Sequence, residues 1–333
     1  MAAGMALFVM GCMLAAPQAL TVSHNKTGRL LKTLATDLGW VESVAFSPNG
    51  RQVLASVAQV VKIWNIETGA LLLSLSPDPD TTFNSAAFSP NGTRVVTAST
   101  GGTFTVWNAA QGKKLLQKSG LSRFAKAEFS PDGKQVVTAG DDATVAIWDA
   151  KTGVKQKELK DHYGHVETAK FSPDGSYVVT AGRDGYVRVY NATTGKLRGF
   201  VNQPVTFSAE FSPDGRQVVT ASTSGYATVW DVGGDWPQEK RKLEAGRGDR
   251  PYVNSAVFSP KVRSRPGCCV FRGGERVLTA SSDGTARMFD TETGELLKTF
   301  EGHAREVSSA VFSPDGSKIV TASYDGTVKV WRA

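Results

Sequence analysis

The tripeptide Phe-Ser-Pro begins at Phe46, Phe88, Phe129, Phe171, Phe211, Phe258 and Phe312, seven copies separated by 42, 41, 42, 40, 47 and 54 residues. Repetition at this period constrains the fold more than any other feature, because each copy must be one supersecondary unit that stacks on its neighbours. In six copies Asn-Gly or Asp-Gly follows the proline, as in Phe129-Ser-Pro-Asp-Gly133. Proline fixes its own φ and glycine takes positive φ without a Cβ clash, so the segment predicts a turn. Short alternations rich in β-branched residues flank each turn, such as VESVAF before the first and KQVVTAG and ATVAIWDA after the third. These predict strands.

Five copies place an aromatic nineteen residues after the phenylalanine: Trp107, Trp148, Tyr190, Trp230 and Trp331. Trp64 comes one residue early, where Val57-Ala58-Gln59 lacks the Asp-Gly of its counterparts, and Phe289 comes twelve late because Lys261 to Gly274 enlarges the sixth unit. Asn or Asp, a Thr-Gly and a leucine-rich run follow the aromatic, as in Thr293-Gly-Glu-Leu-Leu-Lys-Thr-Phe300. Each unit is then four short antiparallel strands that cannot bury both faces alone, which predicts a radial array of stacked units.

The segment FSPDGSKIVTASYDGTVKVW, Phe312 to Trp331, resembles a WD repeat, and the run from about residue 27 onward resembles a seven-bladed WD-repeat β-propeller. The expected fold is all-β, a single domain over 27–333, with Thr27 to Leu34 supplying the missing fourth strand of the last unit and closing the ring beside 326–332. Closure removes an exposed sheet edge. The resemblance also implies a buried hydrogen-bonded tetrad of His, Ser or Thr, Asp and Trp. In the last blade these are His303, Thr321 or Ser323 (with Ser323 assigned), Asp325 and Trp331. By distance from Phe171, the fourth-blade counterpart of His303 is His162, with His165 out of register; Asp142, Asp184 and Asp283 keep the turn carboxylate.

The sequence carries no GxSxG elbow, GxxxxGK loop, HExxH pair or cluster of Cys and His ligands, so no catalytic, metal or cofactor site is expected. One Asp per turn is too few for a calcium loop. The expected activity is non-enzymatic: a scaffold or adaptor, a monomeric propeller within a larger complex. The resemblance implies protein or peptide partners on the face formed by the loops that enter each first strand and leave each second strand. The interface-type residues there are Trp40, Arg123, His165, Arg183, Tyr252 and Tyr324. A regulatory propeller of a larger assembly is the alternative.

The chain is basic, with 38 Lys and Arg against 31 Asp and Glu, and the window from Trp236 to Arg276 holds ten basic and four acidic residues. Its elongated link and insertion, within 232–276, make it a candidate surface for an acidic protein, RNA or anionic lipid through Lys240, Arg241, Lys242, Arg263 and Arg265, or else a solvated loop. Three cysteines, two of them the adjacent Cys268 and Cys269, give no disulfide framework. Residues 1–26 contain no charge before Lys26 and run apolar from Met5 to Ala16. They read as a targeting signal, a membrane anchor, the remnant of another repeat or a tail. The propeller is expected in the cytoplasm, or at a membrane or exported if residues 1–20 act as a signal or anchor.

Overall fold

The computed structural model describes residues 27–35, 39–76, 82–119, 124–234, 237–248, 251–261 and 273–333. They form seven four-stranded antiparallel sheets arranged as the blades of a ring. Blade one comprises Val41–Phe46, Gln52–Val57, Val60–Asn65 and Leu71–Leu75, and the pattern repeats to blade six, Val253–Phe258, Arg276–Ser281, Ala286–Asp290 and Leu296–Phe300. Blade seven takes Val307–Phe312, Lys318–Ser323 and Thr327–Arg332 from the end of the chain and Arg29–Ala35 from its beginning. Arg29 lies opposite Arg332 and Ala35 opposite Thr327, so the expected closing strand is in place. The segment 1–26, Arg123 and the stretch 262–272, with Arg263, Arg265, Cys268 and Cys269, lie outside the described residues.

The recurrent turn has a chemical reason. In blade one the Ser47 hydroxyl donates to Asn49 Oδ1 at 2.7 Å and accepts the Gln52 amide at 2.9 Å, while Gly50, at φ 69°, returns its amide to the Ser47 carbonyl. Serine thus satisfies both ends of the turn, proline leads into it, and the Asx side chain needs only its oxygen. Blade six lacks Asx-Gly after Pro260, yet closes in the same way: the Gly274 amide reaches the Ser259 carbonyl at 2.9 Å, and the Arg276 amide reaches Ser259 Oγ at 3.1 Å. The residues that flank the enlargement therefore close as an ordinary turn, with Gly274 at φ 75° in place of the Asx-Gly glycine.

The first strand of every blade touches the first strands of the blades on either side, and blade one touches blade seven, so these strands line a central channel. The apolar core is divided among the blade boundaries. One cluster joins Val41, Val53 and Trp64 of blade one to Val320, Val328 and Leu34 of blade seven, and six others bridge the remaining boundaries. Burying a large apolar side chain contributes about 1.5–3 kcal/mol, so each boundary is held mainly by its cluster. The repeat aromatics Trp107, Tyr190 and Trp331 are among the largest fully buried side chains. Among the described residues no helix is long and apolar enough to cross a membrane.

Candidate functional site

In blades two, four, five, six and seven the two loops on the candidate face are tied together by one backbone bond. In four of them the residue twelve after the repeat phenylalanine donates its amide to the carbonyl of the residue six before it, as Arg183 to His165 at 2.8 Å and Tyr324 to Glu306 at 3.1 Å; in blade six the enlargement moves the donor to twenty-four residues after Phe258, Ser282 to Tyr252 at 3.0 Å. Residues on two separate stretches of these repeats are thereby fixed as neighbours around the channel mouth.

Below that rim lie the buried hydrogen-bond sets. In blade seven His303 Nδ1 is 2.8 Å from Asp325 Oδ2, His303 Nε2 is 2.7 Å from Thr321 Oγ1, and the Trp331 indole donates to the same Thr321 oxygen at 2.9 Å. The hydroxyl assigned from sequence, Ser323, is not the tetrad member. It donates to the Arg305 carbonyl at 3.2 Å and accepts the Asp325 amide at 3.0 Å. Thr321 and Ser323 share one face of their strand, but Ser323 is its last residue, at the turn, whereas Thr321 lies deeper, within reach of the indole. In blade four the spacing argument for His162 holds: Nδ1 is 2.9 Å from Asp184 and Nε2 is 2.7 Å from Thr180. Tyr190, standing where five other blades carry tryptophan, instead donates to the Lys160 carbonyl. Arg188 enters that set, with Nη1 at 2.7 Å from Asp184 and 2.8 Å from His162 Nδ1. Blade five uses Gln203, whose Oε1 accepts the Thr220 hydroxyl at 2.8 Å.

Burial lowers the pKa of both His303 and His162, against the opposing pull of Asp325 and Asp184, and Arg188 lowers His162 further. Burial alone would raise Asp325, but hydrogen bonds from Thr327, the Ala304 amide and His303 outweigh it and hold its carboxyl at about 2. Charge in these sets is absorbed by neighbouring groups, which makes them braces of the fold.

Above the braces the channel opens into a cavity of about 450 Å³. Across blades six, seven and one its wall pairs aromatic with acidic groups. The Tyr252 hydroxyl sits 2.9 and 3.0 Å from the two carboxylate oxygens of Glu306, and Tyr324 donates to Glu42 at 3.3 Å. Tyr252 packs at 5.9 Å on Phe207, and Tyr324 at 6.0 Å on Trp40, which is 58% exposed and carries the Arg305 guanidinium 5.9 Å over its ring. Across the mouth, Arg183 Nε donates to Glu167 at 2.7 Å, and His165 Nε2 lies 3.8 Å from the same carboxylate. Burial raises Glu42 despite Lys126 and Tyr324, and burial together with Glu42 raises Tyr324. Burial lowers Lys126 in spite of Glu42. Farther along the channel Lys170 pairs with Glu210.

Of the residues expected on this face, His165, Arg183, Tyr252 and Tyr324 thus line one opening and Trp40 packs beside it on Tyr324, while Arg123 lies outside the described residues. Glu42 and Phe207 are absent from the sequence expectation, and Glu306, six residues before Phe312, occupies a face position there but is not of an interface-enriched type. The signal for them was their fixed distance from each repeat phenylalanine. Among the described residues no cluster of three or more His, Cys, Asp or Glu could hold a metal ion. The arrangement offers flat apolar surfaces and oriented carboxylates, which suit binding.

The expected basic site is spread differently. Lys240, Arg241 and Lys242 lie on the outermost strand of blade five, Gln238–Glu244. Lys240 is 2.9 Å from Glu292, Arg241 donates to the Glu292 carbonyl, and Lys242 is 3.3 Å from Glu239. Part of this charge is already answered by blade six.

A family profile described as "WD domain, G-beta repeat" matches residues 28–65, 70–108, 118–149, 153–191, 193–231 and 294–332. The unmatched stretch 232–293 includes the first three strands of the enlarged sixth blade. Similar curated proteins include pre-mRNA-processing factor 19 homolog 2 of Arabidopsis thaliana, 36% identical over 72 residues, 21% of this chain and 14% of that protein. WD repeat-containing protein 37 of Mus musculus is 33% identical over 103 residues, 27% of this chain and 21% of that protein. The matched stretches span about a fifth or less of each relative's length.

Proposed function

The chain belongs to the WD-repeat family, and from that premise we propose that it is a non-enzymatic scaffold or adaptor whose loop face recognises a protein or peptide partner. The observation that carries this reading is the aromatic and acidic arc at the channel mouth, where Tyr252 and Tyr324 hold Glu306 and Glu42 beside the exposed Trp40. Aromatic side chains give large contact area at low entropic cost, and groups already oriented by hydrogen bonds lose little on binding. Membership of a larger complex follows from the same reading. A regulatory propeller within a longer assembly remains the second reading, supported by the short share of its relatives that the chain matches.

The test compares partners captured by the wild type with those captured by a Trp40→Ala, Tyr252→Ala, Tyr324→Ala variant whose melting temperature is measured in parallel. A partner lost from a folded variant supports the loop face. An unchanged partner set, or substrate turnover abolished by a single substitution, overturns the reading.

A further inference from the structure

The charge of this chain is concentrated on its outer wall. Three consecutive blades present their outermost strands side by side: Lys114–Lys118 of blade two, Lys155–Leu159 of blade three and Leu197–Asn202 of blade four. With their adjoining turns, residues 113–118, 151–160 and 196–202, they hold nine Lys and Arg against one acidic residue, Glu158, more net charge than the +7 of the whole chain. Of these nine cations, all among the described residues, only Lys155, at 2.8 Å, and Lys160, at 4.0 Å, pair with a carboxylate, and both use Glu158. Lys113, Lys118, Lys151 and Lys196 are exposed. The three edges are contiguous: a Cβ on Gly153 of blade three would lie 3.0 Å from Leu116 of blade two, and one on Gly195 of blade four would lie 3.7 Å from Leu159 of blade three.

Two more features share this wall. Apolar side chains stand exposed among the cations, namely Leu115 at 52%, Val154 at 61% and Phe200 at 43%. Among the described residues each of these three strands also bonds to a strand on one side only, so its other edge is open to a further strand. Edge lysines can simply guard a sheet against pairing. Here they are not distributed as a general guard, because the same strand-and-turn stretch of blade one, residues 67–75, holds Glu67 and no cation, and that of blade six, residues 291–300, holds Lys298 against Glu292 and Glu295.

We infer that the outer wall of blades two to four is a second binding surface, for an extended acidic polypeptide segment that adds as a strand to one of these edges. Such a segment uses all three features at once: its carboxylates meet the lysines, alternate apolar side chains cover Leu115, Val154 or Phe200, and its backbone completes the open edge. A nucleic acid would use the cations and leave the apolar groups wet, with Phe200 the one exposed aromatic among the three strands for stacking. A lipid surface would strand the open backbone groups without partners.

The experiment measures fluorescence anisotropy of a labelled peptide alternating glutamate with valine. The comparators are a peptide of equal charge with proline replacing the valines, an oligouridylate, and vesicles containing phosphatidylserine. The alternating peptide should bind at low salt and weaken by about tenfold or more at high salt. The proline peptide, which cannot complete an edge, should bind at least about tenfold more weakly. A Lys113→Glu, Lys118→Glu, Lys151→Glu, Lys196→Glu variant should lose binding, and an Arg51→Glu, Lys134→Glu, Arg216→Glu, Lys318→Glu variant, with the same change in net charge placed on the Phe-Ser-Pro turns and the strands they lead into, should keep it. Equal binding of the two peptides, tighter binding of the RNA or vesicles, equal loss in both variants, or no binding of the alternating peptide overturns the proposal.

Discussion

The Trp331 indole donates to the Thr321 hydroxyl across 2.9 Å, and the same bond joins Trp107 to Thr97, Trp148 to Thr138 and Trp230 to Thr220. The threonine lies nine residues after each repeat phenylalanine and the tryptophan nineteen, so the repeat spacing is the spacing of this contact. It pins the second strand of a blade to the third at the blade's buried centre.

Thr321→Val keeps the side-chain shape but leaves the Trp331 indole and His303 Nε2 without their shared oxygen. An unsatisfied buried group costs about 1–3 kcal/mol, so the variant should unfold at clearly lower denaturant than the wild type. Thr321→Ser retains the hydroxyl and should lie much closer to wild type. Ser323→Ala, which touches only the rim, should cost less than Thr321→Val; the reverse order in urea unfolding would reinstate Ser323 as the central hydroxyl.

What could be read from the sequence, and what could not, follows from the range of each interaction. The turn and the Phe-to-Trp distance are local, and they specify blades and ring. Thr321 and Ser323 differ only in depth along one strand face, which a one-dimensional pattern does not encode. Gln203 fills a histidine's place from one residue out of register, and Arg188 joins a buried set from a position that the repeat pattern does not mark. The basic wall joins residues about forty apart in the chain, so a sliding count highlighted 236–276 instead. The Glu292 that answers Lys240 lies outside that window.

Ring closure makes a separable prediction. The strand Arg29–Ala35 buries Leu34 in the cluster shared by blades seven and one and covers the edge of Thr327–Arg332. A chain lacking residues 1–35 should melt far below one lacking 1–25, because only the first loses that strand. Equal melting temperatures in the two truncations would refute closure by this strand.

Acid should destabilise the fold in two stages. His162 and His303 are held below the usual 6.5, so the folded state binds fewer protons than the unfolded chain, and stability falls as pH drops through that value. Asp325, held at about 2 against an ordinary 3.8, adds stability that is present above 3.8 and lost as pH falls toward 2. Thermal melts from neutral pH downward check the first stage. A His162→Gln, His303→Gln variant should lose less of its own midpoint between neutrality and about pH 5 than the wild type does; a parallel decline in both proteins would assign the loss to other groups.

The ion pair of Arg188 with Asp184 separates structural bracing from surface charge. Their side chains are 5% and 4% exposed and 2.7 Å apart, and Asp184 also faces His162 at 2.9 Å. Removing one partner of a buried pair leaves the other charge uncompensated and typically costs about 3–5 kcal/mol, whereas removing both with matched volume costs far less. Arg188→Met should therefore destabilise strongly, and Asp184→Asn on that background should recover part of the loss. The reason is that the neutral amide no longer needs a cation and can still accept from the Tyr163 amide, now 3.3 Å from the carboxylate. A double-mutant cycle in urea gives the coupling directly. Additive losses would show that Arg188 acts through its packing on Tyr186, 4.5 Å from the guanidinium, and that blade four is braced without the ion pair.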